Sequence, residues 1–168
     1  MKAIIYTSNT GSTAEYAQLL GKELNLPVHS LQQAKNKVPA GSEIIYLGWI
    51  MAGGIKGYKE AAKLYKVRAV CGVGMGQTGT QLKEVRDKNA IPQRIPLFTL
   101  QGNFDVKKLH GVYRFMMNVM VKTAGKGLAN KTDRTPEEDD MLDMMVNGGK
   151  RVSLQNMNAV TEWYKNLN

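Results

Sequence analysis

The sequence predicts a three-layer α/β/α protein in which a five-stranded parallel sheet lies between two layers of helices. Over the first 102 residues, short apolar segments alternate with segments whose apolar residues recur at helical spacing. The apolar segments are rich in Ile, Val and Leu, as is typical of buried parallel strands. The single Cys71 excludes an intramolecular disulfide. A chain of 168 residues is long enough to form one such domain around an apolar core.

The predicted elements follow one another at short intervals. The predicted strands cover residues 2–6, 27–31, 43–48, 69–73 and 95–100, and the helices between them cover residues 12–24, 58–66 and 80–89. Residues 36–42, with Pro39 and Gly41, are predicted to form a turn. Pro96 cannot donate to a sheet ladder, so we expect the fifth strand to lie at an edge or to begin there.

A loop rich in hydroxyl and amide side chains follows the first strand. We call it the hydroxyl-rich loop, and it consists of Ser8, Asn9, Thr10, Gly11, Ser12 and Thr13. The N–H groups and dipole of the next helix, together with the hydroxyls, favour binding of a phosphate group here. No Lys or Arg lies between Ala3 and Gly21, so side chains add no positive charge. The alternative is an ordinary turn whose Ser and Thr cap the helix.

This loop differs from the two common nucleotide-binding loops. It has one glycine and no lysine, so it is not a P-loop, and it lacks the G-x-G-x-x-G of a dinucleotide fold. The pattern Ser-x-Thr-Gly-x-Thr after an N-terminal strand instead resembles the FMN phosphate loop of flavodoxins. The resemblance implies a flavodoxin-like sheet of order 2-1-3-4-5. It also implies FMN at the carboxyl ends of the central strands, between strands one and three.

Two further loops would contact the flavin in a flavodoxin-like fold. The loop after the third strand contains Trp49, Ile50, Met51, Ala52, Gly53 and Gly54. Trp49 or Met51 would cover the ring, and the two glycines would let backbone approach its edge. The alternative is that Trp49 is a core aromatic at the end of the strand.

The loop after the fourth strand would reach the pyrimidine edge of the flavin. We call it the glycine-rich loop, and it consists of Gly74, Met75, Gly76, Gln77, Thr78 and Gly79. Its spacing also matches a dinucleotide motif. That motif, however, belongs after the first strand, and no acidic residue ends the next strand here. A plain turn is the third interpretation.

The chain offers little catalytic chemistry of its own. Cys71 lies in an apolar strand pattern and is predicted to be a core residue. His29 and His110 are far apart, and no Cys/His group has metal-ligand spacing. We therefore predict no catalytic acid or base and no metal site, and we expect any redox chemistry to come from a bound organic cofactor.

The net charge of +9 contrasts with the acidic character typical of flavodoxins. It favours anionic partners: an acidic redox protein, an anionic apolar small molecule or an anionic lipid surface. The alternative is that the excess is spread evenly. Nucleic acid is not expected as a partner. No segment approaches the ~20 apolar residues of a membrane span, and the N-terminus lacks a signal-peptide core. We expect a cytoplasmic protein, with peripheral membrane contact as an open question.

Residues 103–152 are predicted to be a helical insert within a single domain of residues 1–168, before a closing helix over residues 156–167 that Ser153 would cap. The insert begins with a basic amphipathic helix over residues 109–123. Its apolar face and basic neighbours are Leu109, Val112, Phe115, Met116, Val119 and Met120, with Lys107, Lys108, Arg114 and Lys122. Residues 109–122 would lie on an anionic membrane or cover an apolar substrate, or else pack onto the sheet or a second subunit.

After a glycine- and lysine-rich stretch over residues 124–131, a second insert helix is predicted. Thr135, Pro136 and Glu138 form a capping-box pattern at its start, and Gly148 marks its end.

The insert also resembles that of the flavodoxin-like, quinone-dependent protoporphyrinogen oxidases. The residues that carry this resemblance are Gly102, Asn103, Phe104, Tyr113, Arg114, Phe115, Met116, Met117, Met120, Lys122 and Gly125. It implies an FMN enzyme that oxidises a tetrapyrrole dianion and passes electrons to a membrane quinone. Residues 126–152 and the glycine-rich loop depart from that family. Two functions stay open: an electron-transfer protein with non-covalently bound FMN, and an FMN-dependent oxidase at the membrane surface.

Overall fold

A parallel sheet between two layers of helices forms the body of the protein in the computed structural model, which describes residues 1–103 and 111–167. The strands are β1 (Ala3–Thr7), β2 (Val28–Ser30), β3 (Glu43–Met51), β4 (Gly54–Ile55), β5 (Lys66–Gly74) and β6 (Leu97–Gln101). The order is β2-β1-β3-β5-β6 with parallel pairing, and β4 pairs antiparallel with β3 alone. Because β4 is only a side branch, the predicted fold and strand order are confirmed, with β6 at an edge as Pro96 indicated.

The helices divide between the two faces of the sheet. They are α1 (Ser12–Leu24), α2 (Leu31–Lys37), α3 (Tyr58–Leu64), α4 (Leu82–Asn89), α5 (Gly111–Ala129), α6 (Pro136–Asn147) and α7 (Asn158–Lys165). On one face, Ile4 of β1 packs with residues of α1 and α7. On the other face, Ile5 packs with residues of α2, α3 and α4. Successive strand residues point to opposite faces, so β1 contributes to both halves of the core.

The central strands bring three loops to one edge of the sheet. Strand β3 lies between β1 and β5, and Thr7 of β1 is level with Gly48 of β3 and Gly72 of β5. The strands are parallel, so the chain leaves all three at the carboxyl edge. The hydroxyl-rich loop, the β3–β4 connection and the glycine-rich loop therefore emerge side by side.

Helix α2 is the main element that the sequence pattern does not predict. Residues 31–37 are helical where a strand end and a turn were predicted. The N–H of Gln33 donates to Ser30 Oγ (3.3 Å), and the N–H of Ser30 donates to Gln33 Oε1 (3.2 Å), forming a capping box. Burial of Leu31 and Ala34 stabilises the single apolar face of this short helix. The predicted end of α3 is also late, because β5 begins at Lys66.

The insert forms two helices that pack on each other. Helix α5 runs through Ala129, so the prediction of a separate glycine- and lysine-rich stretch is wrong. The small Gly125 lies against Met145 of α6, with 3.9 Å between the position of a Cβ at Gly125 and Met145 Sδ. Helix α6 begins as predicted, with the Thr135–Glu138 capping box and Pro136 in its first turn, and Gly148 follows its last residue.

Parts of the predicted basic face lie outside the described residues. These parts are Phe104, Lys107, Lys108, Leu109 and His110, and the side chains of Val112, Tyr113, Arg114, Met116, Met117 and Met120. Helix α7 follows a 3-10 turn over Gln155–Met157, in which the N–H of Asn156 donates to Ser153 Oγ (3.3 Å). Within residues 1–103 and 111–167, no helix is long and apolar enough to cross a bilayer.

Cys71 is a core residue, as predicted. It is fully buried in β5, and burial raises the pKa of its thiol to about 12. The thiolate is therefore scarce at neutral pH, and a reactive role for this cysteine is not indicated.

Candidate functional site

Helix α1 begins without a side-chain cap. Its N-cap residue is Gly11, at φ +107°, and no side chain among the described residues accepts a hydrogen bond from the first turn. The interpretation of the hydroxyl-rich loop as a set of capping residues is therefore wrong. No described residue lies within 4 Å of where a Cβ of Gly11 would be, so the positive φ angle is what favours glycine here. In the described part of the chain, no side-chain oxygen caps the positive end of the helix dipole.

Ser8 has a buried hydroxyl that lacks a hydrogen-bond partner. In the part of the chain that the structure describes, its Oγ is the one buried side-chain nitrogen or oxygen atom in this state. Burial of an unsatisfied hydroxyl costs about 1–3 kcal/mol. A phosphate oxygen would accept a hydrogen bond from this hydroxyl. The hydroxyl-rich loop therefore fits a phosphate group.

A cavity of about 620 Å³ lies beside this loop. It lies between the hydroxyl-rich loop and the first residues of α2 and α3, and its lining includes Ser8, Asn9, Gly11, Ser30 and Gly57. Its volume lies in the range of small-molecule sites. Thr10, Ser12 and Thr13 do not line it, and Ser12 and Thr13 are buried, with 7% and 1% of their surface exposed.

The cavity carries almost no net charge from side chains. No Lys or Arg is among its lining residues, as the sequence indicated for the loop itself. The one acidic lining residue is Glu60, and Lys35 Nζ lies 2.6 Å from its Oε1. This pair is at the surface, so its attraction is weak and screened by salt. An anion here would be attracted mainly by backbone N–H groups and the helix dipole.

A buried tyrosine fixes one side of the cavity. Tyr46 Oη lies 2.8 Å from Thr7 Oγ1 and 2.7 Å from the carbonyl oxygen of Lys56, within hydrogen-bonding distance of both. Burial raises the pKa of Tyr46, so its phenol stays protonated. Gly57, at φ +79°, lies so close that a Cβ there would overlap Tyr46 Oη and Thr7 Oγ1. The sequence does not predict a role for Thr7, Tyr46 or Gly57 at this site, because only the fold brings them together.

Residues 49–54 form a hairpin, not the predicted open loop. Strand β3 continues through Trp49, Ile50 and Met51, and Gly54 begins β4. The turn residues Ala52 and Gly53 both have positive φ, 47° and 74°, as a two-residue type I′ turn requires. Trp49 is half-buried and outside the buried core, with Lys56 Nζ 5.7 Å from its ring centroid. Contact of these residues with a flavin stays a prediction.

Asn89, at the end of α4, holds this hairpin in place. Its Nδ2 donates to the carbonyl oxygens of Gly53 (2.8 Å) and Val85 (2.7 Å), and its Oδ1 accepts from the N–H of Ile55 (2.8 Å). Only 5% of Asn89 is exposed. A buried amide with three short hydrogen bonds fixes the turn relative to the helix. Ala52 of the same turn borders another, more open depression of about 850 Å³ beside α4.

The glycine-rich loop is tied to β6. The N–H of Gly79 donates to the carbonyl oxygen of Thr99 (3.0 Å), and the N–H of Gln101 donates to Thr78 Oγ1 (3.1 Å). Gly74 ends β5, and Met75, Gly76 and Gln77 are half-buried. Helix α4 begins only at Leu82. The third glycine thus lies in a turn before the helix, whereas a dinucleotide motif places it for close helix–strand packing.

Helix α5 exposes apolar side chains. Phe115 and Val119, one turn apart, have 70% and 44% of their surface exposed. Neither side chain is therefore covered by the sheet or by α6. On the same helix, Lys122 and Lys126 are exposed. For Phe115 and Val119, the alternative that the insert helix packs onto the protein's own sheet is therefore wrong.

Comparison with known proteins agrees with the geometry of the site. A family model described as a flavodoxin domain matches residues 3–134, more than three quarters of the chain. The chain belongs to the flavodoxin family. It is therefore a flavodoxin-like, flavin-binding redox protein. The match covers all three loops at the carboxyl edge of the sheet and α5, and it ends before α6 of this flavodoxin. Neither curated proteins nor solved structures give a match.

Proposed function

We propose that this flavodoxin binds FMN non-covalently, with the phosphate group at the hydroxyl-rich loop, and transfers electrons between redox partners. The observation that carries the proposal is the buried, unpaired hydroxyl of Ser8 beside the uncapped start of α1. Both features lack a partner among residues 1–103 and 111–167, and both favour an anionic oxygen. FMN supplies the redox chemistry when bound.

The proposal assigns different parts of the loops to different parts of FMN. Hydroxyls of Ser8 and Thr10 and backbone N–H groups of residues 11–13 hold the phosphate. Ser12 contributes its N–H only, because its hydroxyl is bonded to Asn103. The hairpin at residues 49–54 and the glycine-rich loop lie at the same edge of the sheet, and they hold the ring.

Replacing Ser8 by alanine is expected to have opposite effects on stability and on binding. The apoprotein should keep its free energy of unfolding or gain about 1–2 kcal/mol, because an unsatisfied buried hydroxyl is removed. FMN affinity should fall about tenfold or more, because a charge-assisted hydrogen bond is lost. Urea unfolding of the apoprotein measures the first effect. Calorimetric titration with FMN and with riboflavin, which lacks the phosphate, measures the second.

The matched control is Ser42→Ala. Ser42 is a half-buried serine just before β3, at the amino edge of the sheet. The Ser42→Ala variant should keep the FMN affinity of the unsubstituted protein. We expect the unsubstituted protein to bind FMN at least a hundredfold more tightly than riboflavin. Equal affinity for the two ligands would overturn the proposal, as would a Ser8→Ala variant with undiminished FMN binding.

The distribution of charge supports an acidic redox partner. Residues 31–66 contain six lysines and two glutamates. Five of these lysines are exposed: Lys35, Lys37, Lys59, Lys63 and Lys66. They lie on or just after α2 and α3, whose first residues border the cavity. Lys35, which pairs with Glu60, and Lys59, in the first turn of α3, lie beside the cavity, where they would steer an acidic electron donor or acceptor. Lys37, Lys63 and Lys66 lie towards the amino edge of the sheet.

A second candidate function is an FMN-dependent oxidase of protoporphyrinogen type that acts at a membrane surface with a quinone acceptor. The exposed Phe115 and Val119 on a helix with exposed Lys122 and Lys126 favour it, since apolar and basic residues together bind anionic bilayers. An anionic apolar substrate would suit the same surface. On this proposal, the protein is peripheral to the membrane.

Replacing Phe115 by aspartate tests this second function. We expect co-sedimentation with vesicles containing anionic phospholipid to fall at least fivefold, because an apolar contact is replaced by a charge that the lipid repels. Val146→Asp on α6 is the control, since Val146 is equally exposed, at 70%. Turnover of protoporphyrinogen with a quinone should be measured in parallel. Lack of both vesicle binding and turnover would leave electron transfer between soluble partners as the function.

A further inference from the structure

Asn103 joins three segments that are far apart in the sequence. It follows Gly102 at the end of β6, where the insert begins. Its Oδ1 accepts hydrogen bonds from the N–H groups of Arg151 (2.6 Å) and Val152 (2.9 Å), where the insert ends. Its Nδ2 donates to Glu15 Oε2 of α1 (3.0 Å). The side chain thus holds both ends of the insert and the first turns of α1 together.

The backbone of Asn103 also holds Ser12 of the hydroxyl-rich loop. The N–H of Asn103 donates to Ser12 Oγ (3.0 Å), and that hydroxyl lies 3.4 Å from the carbonyl oxygen of Asn103. Gly102 packs tightly on the same residue, because a Cβ there would lie 3.2 Å from Ser12 Cβ and 3.0 Å from Val73 Cγ1. Ser12 is the first residue of α1, so its position determines where the first-turn N–H groups point.

We propose that Asn103 is a positioning residue for phosphate binding: its side chain fixes the backbone that holds Ser12, and so orients the start of α1. The inference rests on the proposed binding of FMN at the hydroxyl-rich loop. It adds to that proposal, because it makes the two ends of the insert, which Asn103 holds together, part of the phosphate site. The affinity of the protein for a flavin without a phosphate group should not depend on Asn103.

Replacing Asn103 by alanine is expected to raise the dissociation constant for FMN about tenfold and to change that for riboflavin by less than about twofold. The loss should be specific to the phosphate, because the hydrogen bonds removed orient the groups that face it and not those that face the ring. Calorimetric titration of the full-length apoprotein with each flavin gives both constants.

Asn156→Ala is the matched control. Asn156 Nδ2 lies 2.8 Å from the carbonyl oxygen of Arg151 and 2.7 Å from Tyr16 Oη, so it binds the same end of the insert and the same helix without contact to Ser12. This variant should be destabilised yet keep the FMN-to-riboflavin affinity ratio. If Asn103→Ala also keeps that ratio, the positioning role is overturned.

A second variant covers the case in which Asn103→Ala does not fold. Gly102→Ala keeps the Asn103 side chain but places a methyl group 3.2 Å from Ser12 Cβ, so it should displace Ser12 and give the same phosphate-specific loss. An unchanged ratio in Gly102→Ala would also count against the inference. An unsubstituted protein that does not prefer FMN over riboflavin would contradict the proposed function itself, so the two failures are distinguishable.

Discussion

Replacing Gly57 by alanine is expected to lower the free energy of unfolding of the apoprotein by about 2–5 kcal/mol. A non-glycine residue in the left-handed region costs about 1–2 kcal/mol, and Gly57 has φ +79°. The new Cβ would also overlap Tyr46 Oη and Thr7 Oγ1, which adds about 1–3 kcal/mol of overpacking. For a domain of this size, the midpoint of thermal unfolding should fall by about 5–15 °C. Urea unfolding and calorimetry measure both quantities.

Gly41→Ala separates the two contributions. Gly41 has nearly the same backbone angle, φ +75°, but none of the residues that the structure describes lies within 4 Å of where its Cβ would be. This variant should lose only the conformational part, about 1–2 kcal/mol. If both variants lose the same stability, the close packing of Gly57 under the cavity does not matter energetically.

Replacing Asn89 by alanine is expected to lower the free energy of unfolding by about 2–4 kcal/mol. The change removes three hydrogen bonds and leaves the buried N–H of Ile55 and the carbonyl oxygen of Gly53 without their partner. The β3–β4 hairpin should loosen first, because Asn89 is its link to α4. Amide hydrogen exchange of residues 50–55 should therefore accelerate more than that of β1.

Asn89→Asp adds a dependence on pH. The carboxylate keeps an acceptor for Ile55 but faces two carbonyl oxygens, so the pKa of this aspartate should be raised in the folded state above the unfolded value of about 3.9. The folded state then binds the proton more tightly. Stability relative to Asn89→Ala should be greatest below pH 4 and should fall as pH rises through the folded pKa. Parallel pH profiles of the two variants, measured by urea unfolding between pH 4 and 8, would contradict this.

Local patterns predicted the frame of the fold well. Strand β1, helix α1 and the capping box of α6 depend on neighbouring residues, and these are visible in the sequence. The β3–β4 hairpin was missed because Ala52-Gly53 is a weak turn signal and β4 has two residues. The hairpin depends on Asn89, which is distant in sequence. Helix α2 had a readable signal in the spacing of Ser30 and Gln33, but its apolar face is short.

The candidate site was predicted only in part, for the same physical reason. The motif of the hydroxyl-rich loop is local, so Ser8 and Gly11 were selected, and both line the cavity. Ser12 was expected to offer its hydroxyl to a phosphate, yet that hydroxyl binds Asn103, 91 residues away. Gly57 was not selected either, because its role depends on Tyr46 of a neighbouring strand. Contacts of this kind require the folded chain.

The meeting of both insert ends at one asparagine also bears on how this protein can change during evolution or engineering. Since Asn103 holds the points where the extra polypeptide leaves and rejoins the body, the entropy of closing the chain between them rises only slowly with its length. The sheet and its helices would keep their structure while the insert acquired a new binding specificity. Position 103 is thus a natural boundary for grafting foreign segments onto this scaffold.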